Sequence, residues 1–579
     1  MQLLQHFKKL TVRPKNAQEL KGLILQLAIQ GKLTASWRKE NPNVEPASEL
    51  LKKIQKEKEQ LIKNKKIKKG NVFTNVSKDD IPYKLTEKWV WCRVGEITDI
   101  IAGSSFKSGD FNETGGVKCI KITNAGVRDF VETNDYLPEG YDELYSNYLI
   151  KEGDLILALT RPYIKDGLKI SICPSSYNNS LLNQRVASIR SMSSNVFHPY
   201  IFSFIQSPMV LKHYKSKFDG KSQQPNMKMG DITDLLISLP PLEEQREIVK
   251  VVEILFKEVE QLEQLTVKRI TLKEDFVTSA LNQLTTNNAN QEWAFLQDHF
   301  KSFFNETSNI KKLRETVLQL AVQGKLTADW REQRSLSGAE VEDASILLKR
   351  IQEEKVQLIK DKKIKKEKAL PKITKEDMPY ELPEGWVWCR MITALKFIDY
   401  RGKTPNKISK GIRLLTAKNV RPGYLKISPE EFMSEDEYLN WMTRGFPKKG
   451  DILFTTEAPL GNVCQLELDE KVGLAQRIIT LQPYLSDLNK KYLMYCYMSQ
   501  SFQKLILDKA TGMTAQGIKA RKLKLIPFPL PPLEEQEAIV EKVNVLMGLC
   551  DRLEQEVQQS LEHSELLMQS VLREVFEGE

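Results

Sequence analysis

Two pairs of adjacent carboxylates, Glu243 with Glu244 and Glu534 with Glu535, come closest in this chain to an acid–base couple. Each pair follows Pro-Pro-Leu and opens a helical pattern. In the first turn of a helix behind prolines, carboxylates complement the helix dipole, so capping is the reading preferred over proton transfer. Gly220, Lys221 and Ser222 resemble the end of a phosphate-binding loop, but Lys215 stands where G-x-x-x-x-G-K-S needs its first glycine. No H-E-x-x-H, G-x-S-x-G or glycine-rich dinucleotide fingerprint occurs, nor the Asn/Asp-Pro-Pro-Tyr sequence with which amino-methyltransferases grip an extruded base. The five histidines (His6, His198, His213, His299 and His563) form no metal-type cluster, and the seven cysteines make no C-x-x-C pair. A nuclease site made of scattered acids would escape such a scan.

With catalytic signatures missing, the elements that could position a binding surface carry the argument. At 579 residues the chain has room for three or four domain-sized units. Its 28% charged and 41% apolar residues describe an ordinary soluble protein, with reduced cysteines expected in the cytoplasm. A net charge of +10 permits contact with a phosphate backbone without requiring it. Residues 1–10 lack the apolar core of a signal peptide, and no apolar run approaches a membrane span.

The dominant feature is repetition. Residues 26–38 read QLAIQGKLTASWR and residues 319–331 read QLAVQGKLTADWR. Residues 81–93 read IPYKLTEKWVWCR against MPYELPEGWVWCR at 378–390, and LPPLEEQREIV at 239–249 returns as LPPLEEQEAIV at 530–540. The offsets of 293, 297 and 291 residues are nearly constant, which predicts a pseudo-twofold arrangement and invites a target with two halves.

The texture of the sequence divides it into five regions. Residues 1–80 read as helical, with a break at Gly31 and a charged helix over 48–69 that Ser48 would cap. Residues 81–238 carry short β-rich runs broken by Gly, Asn and Pro, as do 378–529. The central region, 239–377, opens with a helix over 243–284 whose Ile248, Val252, Leu255, Val259 and Leu262 form a heptad seam that wants a partner. A polar break at 285–290 precedes further helical pattern near Ile310 and over 345–366. The last region, 530–579, repeats the seam with Ile539, Val543, Leu546, Cys550, Leu553 and Val557. In the central region the heptad helix leads into a QGKLT sequence and a charged helix; the chain ends with the first of these pieces and begins with the other two. The termini are therefore expected side by side, in a circular arrangement. Trp89 with Trp91, and Trp386 with Trp388, share a strand face, where packing outweighs base stacking. The lysine runs 63–69 and 360–366 read as solvated helix ends, with phosphate contact the second reading.

Taken together, these residues resemble the specificity subunit of type I restriction-modification enzymes. The markers are the two LPPLEEQ helix starts, the QGKLT-x-x-W sequences and the lead-in sequences LTEKWVW and LPEGWVW. RGKTP at 401–405, GDIL at 450–453 and AQR at 475–477, with GDLI at 153–156 and NQR at 183–185, look like the interior of target recognition domains. The resemblance implies an α+β chain: two β-rich recognition domains separated by two long antiparallel helical regions. It also implies a non-catalytic reader of double-stranded DNA with a bipartite site. Two methyltransferase subunits and two restriction subunits would be its partners. No cofactor belongs to this chain; S-adenosylmethionine, ATP and magnesium would sit on those partners, which methylate adenine at N6 or translocate and cut DNA.

A helix over 243–284 would be about 63 Å long, more than one turn of DNA, and would set the unread spacer. Base and phosphate contacts are expected from polar loop residues: Lys107, Lys121, Asn124, Arg161, Lys165 and Lys221 in the first domain, and Arg401, Lys403, Lys418, Asn419, Arg421 and Thr455 in the second. Gln184, Arg185, Gln476 and Arg477 hold matched positions and read as shared structure. The competing readings are a fused methyltransferase or nuclease with a disguised site, and a coiled-coil scaffold that binds no DNA.

Overall fold

A computed structural model of the chain describes residues 13–67, 73, 76–77, 80–164, 167–217, 225–286, 290–338, 341–400, 405–512 and 516–577. It divides into one unit of residues 1–270 with 563–579, and a second of residues 271–562.

In the first unit, the helix Pro14–Ile29 is capped by Gln30 and ended by the left-handed Gly31. Gly31 has φ +69°, and a Cβ there would lie 3.0 Å from both the Arg38 guanidinium and the Trp89 ring. Helices Ala35–Glu40 and Ala47–Lys63 come next. Pro46, not Ser48, occupies the cap position, and the charged helix ends at Lys63. Lys65 is left-handed (φ 56°), and the Lys66 amide returns to the Leu61 carbonyl at 2.9 Å. The lysine run thus begins where the helix carbonyls end, a place where cations are favoured.

The strand Val90–Arg93 pairs antiparallel with Leu236–Leu239, with Val90 opposite Leu239. Between them lies an antiparallel sheet in the order Thr98–Ala102, Val186–Ser191, Leu155–Ala158, Ile170–Ile172. A second sheet contains a parallel pair, Val117–Ile120 beside Ser180–Leu182. The core joins Leu23 and Ile24 of the first helix, Trp89, Cys92, Leu155 and Ile189 of the strands, and Ile248, Val252, Leu255 and Val259 of the long helix Leu242–Thr286. The heptad seam is therefore mostly interior to this unit. Its neighbour is the helix Pro14–Ile29, whose Lys21 reaches Glu260 at 2.7 Å.

The second unit repeats the plan. Helices Thr307–Val322, Ala328–Ser337 and Ala344–Lys360 precede the strand Val387–Arg390, which pairs with Pro527–Leu530. The enclosed antiparallel sheet has the matching order Leu395–Asp399, Ile478–Pro483, Ile452–Thr455, Val463–Gln465. A parallel pair, Ile412–Leu415 beside Val472–Leu474, again belongs to a second sheet. Two segments so different in sequence thus share one strand order, and in each the central strands are buried on both faces as nearly continuous apolar runs. Helices Asn290–Asp298 and Phe300–Phe303, which the sequence pattern did not predict, lie just after the polar break.

The helix Leu533–Glu577 has 45 residues, as does Leu242–Thr286. Within the second unit, its Cys550 and Val557 share an apolar cluster with Val277, Ala280 and Leu281, and with Ile310 and Leu313. Arg314 reaches Asp551 at 2.6 Å, matching the Lys21 to Glu260 pair. In the first unit, Lys15 meets Glu565 at 3.0 Å, so the first described helix touches the last. The matched contact in the second unit joins Ser308 to Glu274 at 2.5 Å.

Candidate nucleic-acid interface

Each β-rich module hangs on a buried carboxylate. Glu244 accepts hydrogen bonds from Thr34 Oγ1 at 2.6 Å, Arg38 Nη1 at 2.5 Å and Trp89 Nε1 at 2.8 Å. Glu535 accepts from Thr327 Oγ1 at 2.6 Å, from Trp386 Nε1 at 2.7 Å and from Arg331 Nη1. The second guanidinium nitrogen of each arginine donates to a glycine carbonyl, Gly31 at 2.6 Å and Gly324 at 2.8 Å. The three repeated motifs meet at this one point. The capping reading therefore holds only for the exposed Glu243 and Glu534, while Glu244 and Glu535 are buried clamps. Gln245 and Gln536 complete the joint. Gln245 accepts from the Phe197 amide at 2.9 Å, and Gln536 accepts from the Asn489 amide at 3.1 Å.

A second repeated interaction stiffens each sheet. Asp154, buried after Gly153 (φ 83°), takes Arg190 Nη2 at 2.5 Å; Asp451, buried after Gly450 (φ 82°), takes Gln482 Nε2 at 2.6 Å and Lys490 Nζ at 3.1 Å. The GDLI and GDIL sequences thus do structural work.

Loops converge at one rim of each sheet. In the first module the Leu159 amide donates to the Arg185 carbonyl at 2.9 Å, Arg161 to Pro225 at 2.9 Å, Met227 to Leu159 at 2.7 Å and Asn183 to Ile120 at 2.9 Å. Gly103 closes the same rim: a Cβ there would lie 1.9 Å from the Asn183 carbonyl oxygen. In the second module the matching bonds run from Thr456 to Arg477 at 3.0 Å, Ile518 to Thr456 at 3.0 Å and Ala475 to Leu415 at 2.9 Å. Lys169 donates to the Ile122 carbonyl at 3.1 Å and is held below the ordinary lysine value first by burial and then by the nearby Arg161 charge.

The expected contact residues fall into distinct groups. Lys107, Arg161 and Lys418 are exposed, and Arg421 is half-buried in a hairpin strand. Lys121 is half-buried, with its ammonium 2.6 Å from Asp135 and 3.8 Å from the Phe111 ring centroid. Lys165, Lys221, Arg401 and Lys403 lie outside the described residues, as does the phosphate-loop look-alike at 220–222.

Asn124, Asn419 and Thr455 are corrections. Asn124 is fully buried; its Oδ1 accepts from the Lys121 amide at 2.7 Å and its Nδ2 donates to the Val131 carbonyl at 2.8 Å. Asn419 does the same with the Thr416 amide at 2.9 Å and the Lys426 carbonyl at 3.0 Å. Thr455 donates to the Pro459 carbonyl at 2.5 Å and accepts from the Asn462 amide at 2.9 Å. Buried polar groups with both ends engaged have nothing to offer a base edge.

The Gln-Arg pairs, read from the sequence as shared structure, lie at the surface. Gln184, Arg185 and Arg477 are exposed and Gln476 is half-buried. In both modules the pair stands directly before a buried strand. All seven cysteines are free and buried. Among the described residues no helix is long and apolar enough to cross a membrane, and no group of His, Cys, Asp and Glu could hold a metal ion.

Known proteins match this geometry. A family model described as the type I restriction modification DNA specificity domain matches residues 86–272 and 401–563, each match taking in one module and part of the helix after it. The EcoAI specificity subunit of a type I restriction enzyme from Escherichia coli is 30% identical over 553 residues, covering 93% of this chain and 90% of that one. The EcoEI specificity subunit, also from Escherichia coli, is 29% identical over 564 residues, covering 93% and 91%. A solved chain from work on complex assembly and conformational transition of the type I R-M system has a TM-score of 0.51 at 20% identity, covering 86% of this chain and 100% of that one, which is a likeness of fold alone. With both modules matched and nearly the whole length aligned, the chain belongs to the type I restriction-modification DNA specificity family.

Proposed function

We propose that each β-rich module reads one half of a bipartite duplex site for a type I restriction-modification complex, and that the helices between them fix the unread gap. The chain is a DNA-recognition subunit, and catalysis resides in its partners. One observation carries the two-reader reading: the same clamp and the same strand order bear different rim residues. Thr160 and Arg161 in the first module stand where the second has Glu457 and Ala458, and both Arg161 and Ala458 take positive φ (49° and 29°). Equal scaffolds with unequal tips suit an asymmetric target.

Within this reading, Lys107, Arg161, Lys165 and Lys221 serve the first half-site, and Arg401, Lys403, Lys418 and Arg421 the second. Lys121 contributes charge beside them while paired to Asp135. At 1.5 Å per residue the 45-residue helix Leu242–Thr286 is about 68 Å long, enough to exceed one helical turn of DNA. The helical regions dock two methyltransferase subunits, and two restriction subunits join that core in the cytoplasm. S-adenosylmethionine, ATP and magnesium belong to those partners.

Methylome sequencing of cells carrying this chain with its native methyltransferase tests the proposal. The expected result is one motif of two dissimilar specified parts around a fixed gap. A continuous motif, or methyl transfer by the purified chain alone, would overturn it. A gel-shift titration at low salt that stayed flat for the complex would instead favour the scaffold reading.

A further inference from the structure

Two modules that face different bases have little reason to keep the same exposed residues at their tips. Gln184 with Arg185 and Gln476 with Arg477 break that expectation. In each module the arginine carbonyl accepts a sheet bond, from Leu159 in one and Thr456 in the other. That bond fixes the backbone. The next residue, Val186 or Ile478, opens a buried strand, whereas Arg185 and Arg477 lie in the turn before it and are exposed. Among the described residues the Arg185 guanidinium has no hydrogen-bond or ion-pair partner. Arg477 has one, the Glu457 carboxylate at 3.4 Å, with both side chains about half exposed. Neither arginine packs in the fold, yet each sits beside the rim position where the modules differ.

What two unlike half-sites have in common is the sugar–phosphate backbone. We infer that Arg185 and Arg477 are matched phosphate contacts, one for each module, which set the register of each reader on the duplex while the neighbouring dissimilar residues read bases. A guanidinium fork suits a phosphate because it donates two parallel bonds and keeps its charge. In the second module the phosphate displaces Glu457 from Arg477. The inference rests on the DNA-reading proposal above.

The test uses the full chain in complex with its native methyltransferase. Affinity is measured by fluorescence anisotropy on a duplex carrying the methylome-defined site and on a scrambled duplex, across a salt series. Arg185→Ala and Arg477→Ala should each weaken both duplexes by the same factor, on the order of tenfold at low salt. Each should also flatten the slope of log K against log salt by about one. The methylated motif and the melting temperature should stay as in the unaltered complex. Arg185→Lys should recover the slope, since it keeps the charge. Three outcomes would overturn the inference: unchanged affinity and slope, a loss confined to the specific duplex with a relaxed base in the motif, or a melting temperature lowered by several degrees. Failure of the DNA-reading proposal itself would look different, as the unaltered complex would then prefer no site.

Discussion

Trp89 donates its indole N–H to Glu244 at 2.8 Å, joining two motifs 155 positions apart in the chain. The Glu244 side chain is 1% exposed, and Arg38, its ionic partner, is 21% exposed. A carboxylate so enclosed depends on its donors, and they depend on it.

Glu244→Ala leaves the Arg38 guanidinium unpaired and should cost about 3–5 kcal/mol. Trp89→Phe keeps most of the ring and removes one bond to a charged group, about 1.5–3 kcal/mol. Urea denaturation of the full chain measures both. A change below about 1 kcal/mol for Glu244→Ala, the scale of an exposed pair, would mean the clamp is not what secures the module.

The Lys15 contact with Glu565 matches Ser308 with Glu274, so joining the chain's end to its start should recreate the arrangement found in the middle. A circular permutant with a short flexible linker across the old ends, opened after Gly338, should retain far-UV circular dichroism and specific DNA binding. An unfolded or non-binding permutant would show that the resemblance of the two contacts is superficial.

Spacer length should respond to helix length where the long helices bury few side chains. Ile248 to Val259 pack inside the first unit, so a heptad removed there would damage the fold. Deleting residues 263–269 together with the matched 554–560 removes one buried side chain from each helix, Thr266 and Val557, which lowers stability; it shortens each helix by about 10 Å and returns the helix face to within about 20°. The methylated motif should keep both halves and lose no more than about three base pairs of gap. Altered bases in either half would count against the division between rod and reader.

Asn419 separates structure from recognition. Asn419→Ala removes bonds to the Thr416 amide and to the Lys426 and Pro429 carbonyls, and should destabilise by about 1–3 kcal/mol. Its methylome should specify the same bases. Arg161→Ala, at an exposed rim position, should leave stability unchanged and relax one position of one half-site, by about 1–3 kcal/mol of discrimination. Exchanged outcomes for the two variants would reverse these assignments.

The repeats alone determined much of this protein. Nearly constant offsets announced two equivalent units, short β-rich runs broken by Gly, Asn and Pro located the two modules, and heptad apolar patterns located the long helices, because burial imposes that period on a helix. The family resemblance rests on the same motifs. Why the motifs recur was not legible. Glu244 and Glu243 are neighbours of identical type, and only the packing of Thr34, Arg38 and Trp89 around one of them makes it a clamp. Asn124 and Asn419 look like base readers in sequence, but their amides are consumed by backbone groups that folding brings within reach. Arg185 and Arg477 are repeated like framework, and only the fold shows that both stay exposed. Residue type and period fix which groups are available, whereas three-dimensional proximity decides which of them are already used.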